Sequence, residues 1–94
     1  MFVVVADIKL KKDSEDDFKK WFSEANQTLS KFDGFVSIQL LESKDGSHRV
    51  LVRFDTFENF EKMHNTQEHA DLHAKAVTFM EGVPMPKFYN VVAE

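Results

Sequence analysis

From Val3 to Leu10 the even positions are all apolar, Val4, Ala6, Ile8 and Leu10, while the odd ones run Val3, Val5, Asp7 and Lys9. That alternation predicts a strand over Phe2 to Leu10 with two different faces. The period then changes. Phe18, Trp21, Phe22, Ala25, Leu29 and Phe32 fall in one arc at about 100° per residue, opposite Lys20, Ser23, Glu24, Gln27 and Lys31. Asp13-Ser14 offers a cap for this helix, Glu15, Asp16 and Asp17 suit its positive end, and Asp33-Gly34 ends it.

GFVSIQLLES and HRVLVRFD return to the strand pattern, and Asp45-Gly46 within KDGS between them marks a tight hairpin. FDTFENFEKMH then opens a helix capped by Thr56, with Phe57, Phe60 and Met63 or His64 on one side. Asn65-Thr66 breaks it, and Thr66 caps a further segment from about Gln67 to Met80, closed by Gly82 and Pro84. KFYNVVA, residues 87–93, reads as a last strand.

Strand, helix, strand, strand, helix, strand, with the second helix in two segments, predicts an α+β, ferredoxin-like βαββαβ domain with an antiparallel sheet, spanning 1–94 as a single domain. Val36, Ile38, Leu40, Val50, Val52 and Phe54 are expected to face the helices. The other face would carry Val3, Val5, Phe35, Leu41, Leu51, Tyr89 and Val91 among Asp7, Lys9, Ser37, Gln39 and Arg53. No element is left to cover so apolar a surface, so a homodimer packed sheet against sheet is expected.

A net charge of −4 and a pI near 5.5, with KLKK the only basic cluster, exclude nucleic acid as the natural partner. The absence of cysteine excludes disulfides, thiolate catalysis and Cys-ligated metals. MFVVVAD is too short for a signal peptide or a membrane span, and no longer apolar run exists. A cytoplasmic protein with no membrane partner is the expectation. Ten Phe residues are many for 94, and call for a large apolar interior, a partner surface or a pocket.

Three of the four histidines, His64, His69 and His73, stand within ten positions. On a helical wheel His69 and His73 lie about 40° apart in the middle of an apolar arc completed by Leu72, Ala76, Val77, Phe79 and Met80. Both therefore point inward, where burial lowers an imidazole pKa and keeps it neutral. Such a ring can pack against a backbone or Asp55 partner, act as acid or base toward an organic substrate, or ligate haem or a metal. A third metal ligand has no clear candidate beyond Glu68 or Asp55, so no metal site is assigned. His48, beside the hairpin turn, is expected in solvent, and Trp21 and the Phe-rich DTFENF in the core.

VVVADIKLKK, GFVSIQLLES, VLVRFDTFENFEKMHNTQEHADLH and VPMPKFYNVV, in that order, resemble the antibiotic biosynthesis monooxygenase (ABM) family of dimeric α/β-barrel proteins over nearly the whole chain. The most specific part is Phe54, Asp55-Thr56, Phe60, His64, Thr66 and His69: a strand, a capped turn, an aromatic and two histidines. The resemblance implies a homodimer forming an α/β barrel, with a small-molecule pocket between sheet and helices in each subunit. It further implies a cofactor-independent monooxygenase acting on a small aromatic or quinol-type substrate, which supplies its own electrons to dioxygen once deprotonated. His69 and His73, with His64, are the candidate catalytic residues, and Phe54, Phe60, Met63, Leu72 and Met80 the candidate substrate-binding walls. The family's haem-degrading branch is similar in using an axial His at the position of His73, but its Trp and Asn positions are here Met63 and Ile8. Haem binding and a dimeric module without chemistry are the alternative readings.

Overall fold

The alternating N-terminal segment forms β1 (Phe2–Ile8), with Phe2, Val4 and Ile8 buried. The computed structural model, which describes residues 1–94, continues through α1 (Glu15–Leu29), β2 (Phe35–Glu42), β3 (His48–Phe54), α2 (Phe57–His64), α3 (Gln67–Val77) and β4 (Met85–Asn90). The four strands make one sheet in the order β2-β3-β1-β4, every neighbouring pair antiparallel. This is the α+β, ferredoxin-like βαββαβ arrangement, with the second helical region divided at Asn65-Thr66.

The core lies between one sheet face and the helices. Phe2, Val4, Ile38 and Phe54 from the sheet meet Leu29, Phe60 and Met63, and a second cluster joins Ile8, Phe18 and Met80. α1 is held by its apolar stripe: Phe18 is 1% exposed, and burying such a ring contributes about 2–3 kcal/mol. Its capping differs from expectation. Ser14 occupies the N-cap with helical dihedrals and makes no side-chain cap bond, while Asp13 turns the chain at φ 66°. Thr56 and Thr66 do cap, accepting from the amides of Asn59 and His69.

Several sequence expectations are corrected. A bulge at Val36 places Phe35 opposite Phe54, on the helix side, and turns Val36 outward at 46% exposure. One extra residue inverts the alternation locally, so the two residues exchange the faces expected of them. β1 stops at Ile8, and Leu10 instead forms an isolated bridge with Met80, which ends α3 at Val77. β4 begins at Met85, because on an edge strand Pro86 can sit beside Ala6 without supplying an amide donor. His48 is not solvated: it is the one buried polar residue, 6% exposed, with Nε2 2.8 Å from Glu42 Oε2.

Gly34 (φ 78°) is fixed by crowding. A Cβ there would overlap Asp55 Oδ1 and lie 2.7 Å from Asn59 Cβ, so only glycine lets the α1–β2 turn meet the start of α2. The Gly34 carbonyl accepts from the Asp55 amide at 2.8 Å, tying that turn to the end of β3.

Candidate functional site

Thr66 sets the geometry of the histidine row. Its hydroxyl donates to the Met63 carbonyl at 2.7 Å and accepts from the His69 amide at 3.1 Å, closing α2 and opening α3 with one side chain. The bend folds His64 back toward His69, with ring centroids 4.5 Å apart. His73 follows one turn along α3, its ring 6.2 Å from that of His69. Phe60, one turn before His64 on α2, stacks on the His64 ring at 5.6 Å.

All three imidazoles border a cavity of about 340 Å³ between the sheet and the helices. Val4, Ala6, Val50 and Val52 form its floor, Phe18, Trp21, Phe22 and Leu29 of α1 one wall, and Pro84, Pro86 and Phe88 its far rim. Phe60, Met63, Leu72 and Met80 border it as well. Phe54 does not: it is fully buried, 5.7 Å from the Phe60 ring, and backs the wall from behind. No Lys, Arg, Asp or Glu borders the cavity, so its polar side chains are the three histidines and Asn26.

The row is graded in exposure. His69 is half-buried, whereas His64 and His73 reach solvent at the cavity mouth. The wheel sets the angle of His73 on α3 but not the depth of the helix, and no residue of α3 is fully buried. Desolvation pushes the His69 pKa down from 6.5 to about 4, and the neighbouring charges of His64 and His73 push the same way. His69 is therefore neutral near pH 7, with its ring available as a hydrogen-bond acceptor.

Asn26 is the polar wall residue that the sequence reading passed over. Its Nδ2 donates to the Ile38 carbonyl at 2.7 Å, joining α1 to the outer edge of β2. The signal is weak, since Asn26 stands one turn after Phe22 but about 40° beyond the edge of the apolar arc of α1.

The surface carries two further features. Arg53 on the sheet's other face donates to Gln39 Oε1 at 3.0 Å, and Arg49 to Asp7 Oδ1 at 2.7 Å. No helix is long and apolar enough to cross a membrane.

No curated protein sequence matches the chain. Among solved structures it is similar to a point mutant of SnoaB, a cofactor-independent oxygenase from Streptomyces nogalater, at 12% identity and TM-score 0.86, covering 99% of this chain and 94% of that one. A candidate antibiotic biosynthesis monooxygenase from Caulobacter crescentus CB15 aligns at 22% identity and TM-score 0.84, over 98% and 90% of the two chains. A mutant of MhuD, solved with two manganese protoporphyrin IX molecules per active site, aligns at 19% identity and TM-score 0.80, over 100% and 97%. At these identities the likenesses establish a shared fold. The family model described as antibiotic biosynthesis monooxygenase matches residues 1–75, four-fifths of the sequence, and the chain belongs to that family.

Proposed function

We propose that the protein is a cofactor-independent monooxygenase that oxidises a small aromatic, quinol-type substrate in the apolar cavity, with His69 as the proton acceptor. The observation that carries this reading is a neutral, half-buried imidazole on a cavity whose walls, apart from His64, His73 and Asn26, are apolar. A ring-shaped substrate fits walls of Phe, Met and Val, and the volume of about 340 Å³ lies near the lower end for ligand sites, which suits one or two fused rings.

Alone, a base held near pKa 4 is weak toward a phenol. A phenolate forming beside it changes the balance, because opposite charges attract strongly in a site of low dielectric and raise the imidazole pKa. His64 and His73, on either side of His69 and open to water, pass the proton outward. The deprotonated substrate donates electrons to dioxygen; one oxygen atom enters the ring system as a carbonyl, and the other leaves as water, which takes up the hydrogen of the oxidised ring carbon and the equivalent of the phenolic proton. Phe60, Met63, Leu72 and Met80 hold the ring, and Phe54 supports Phe60 from behind.

The MhuD likeness and the position of His73 favour haem as a second reading. The cavity fits a porphyrin poorly. It is small, and no Lys or Arg borders it to receive the two propionates. Met63 and Ile8 add apolar surface where a polar or indole group would be needed.

A second copy of the chain is the proposed partner. Val3, Val5 and Leu51 lie on the uncovered sheet face, and Leu41 and Tyr89 beside them are 42% and 49% exposed. Isologous pairing of this face would bury that surface. Sedimentation equilibrium should give twice the chain mass, and a monomer at all concentrations would overturn the pairing.

Oxygen uptake with a panel of hydroquinones and naphthols tests the activity. Turnover by the parent should fall on His69→Ala and His73→Ala; unchanged turnover in both variants, or none in the parent, would overturn the catalytic reading.

A further inference from the structure

Away from the apolar cavity, Glu15, Glu42 and His48 form the only group of three ligand-type side chains whose donor atoms all lie within 4.8 Å of one another. They come from three elements: Glu15 opens α1, Glu42 ends β2, and His48 begins β3. Glu42 and His48 are register partners across the β2–β3 hairpin, so the strand pairing itself holds two of the three together.

The group combines one fixed donor with two adjustable ones. The His48 side chain is 4% exposed, and its Nε2 faces Glu42 Oε2 at 2.8 Å. Glu15 and Glu42 are exposed side chains on flexible stems. Glu42 and His48 also border a second, polar cavity of about 460 Å³ shared with Ser23 and Gln39, which leaves room for water ligands. Donors arranged tetrahedrally at about 2.0–2.2 Å from an ion stand about 3.3–3.6 Å from one another. One pair of donors stands at 2.8 Å and all three lie within 4.8 Å of one another, so rotations of the two carboxylates can bring them to that spacing.

We infer that Glu15, Glu42 and His48 bind a divalent transition metal of the zinc class, which clamps the start of α1 to the β2–β3 hairpin. One imidazole and two carboxylates suit a borderline cation, and three protein ligands plus water complete its shell. The site is structural. Phe22, Asn26 and Ile38 border both cavities and stand between this group and the histidine row. Lys19, with Nζ 3.7 Å from Glu42 Oε2, is the competing cation that a bound ion would displace.

Calorimetric titration of chelator-treated protein with zinc chloride, repeated with cobalt(II) for its visible absorption, tests the assignment. One zinc per chain should bind and raise the melting temperature. Glu15→Gln should weaken binding by roughly tenfold or more, since it removes a ligand from an exposed position without disturbing the core. His48→Gln should do the same where circular dichroism shows it folded. Lys19→Met should tighten binding by removing the competitor, and the double variant His69→Gln/His73→Gln should bind as the parent does. No saturable zinc binding by the parent would overturn the site. So would binding that survives Glu15→Gln unchanged or disappears in the His69/His73 variant, which would assign the ion to the histidine row.

Discussion

His69→Gln removes the one strongly shifted imidazole and keeps a polar side chain on the cavity wall, and its effect on stability can be worked out in sign and size. The folded pKa lies near 4 and the ordinary value is 6.5, so the unfolded chain binds the proton more tightly. Stability is then unaffected by this group above about pH 6.5 and falls as the pH drops from 6.5 toward 4. Fully expressed, a drop from 6.5 to about 4 is worth about 3.4 kcal/mol, of which about 2 kcal/mol would be lost between pH 7 and pH 5. His69 is only half-buried, and screening by solvent reduces that to about 1 kcal/mol.

Urea unfolding of the parent and His69→Gln at pH 7 and pH 5 reads the difference. Parent stability should drop by about 1 kcal/mol more than that of the variant across this interval. Glu42, Asp45 and Asp55 have lowered pKa values, so their stabilisation is lost only as the pH falls below the ordinary carboxylate range and does not confuse the window. Parallel profiles for the two proteins would refute the argument that His69 is held neutral by its surroundings.

Other substitutions probe the frame around the site. Phe54→Ala, at a fully buried ring, should cost about 3–5 kcal/mol in denaturant unfolding and loosen the wall behind Phe60. Gly34→Ala should cost about 2 kcal/mol or more in thermal unfolding, from the left-handed backbone and the overlap with Asp55. Thr66→Ala should cost about 1 kcal/mol and lower oxygen uptake as well, because the lost cap bond orients His69 itself; Thr66→Ser should restore both.

Much of the fold was legible because two periods and one turn signal agree. The alternation in β1, the arc from Phe18 to Leu29 and Asp45-Gly46 each specify an element, and their order specifies the topology. The bulge at Val36 was not legible, since one inserted residue leaves no mark in an apolar run such as FVSI. The burial of His48 was. It shares the parity of Val50, Val52 and Phe54, the helix-facing set, a signal that competes with the exposure expected of a residue beside a turn.

The site was partly legible for the same kind of reason. A wheel places His69 and His73 on one face, and the structure puts both against the cavity. It gives no depth, so the exposure of His73 and the sideways approach of His64 come only from the fold, through the bend at Thr66. The cavity is a product of several elements at once. Its α1 wall, with Asn26, and its rim at Pro84 to Phe88 are far from the histidines in sequence.

A neutral His69 facing a cavity shaped for a small aromatic can be observed by nuclear magnetic resonance. With ¹⁵N-labelled histidine and ¹³C-labelled methionine methyls, the protein is titrated with 2-naphthol at pH 7. The His69 ring nitrogens and the Met63 and Met80 methyls should shift together and saturate at one ligand per chain. Shifts that never saturate, or that leave His69 and both methyls unmoved, would contradict it.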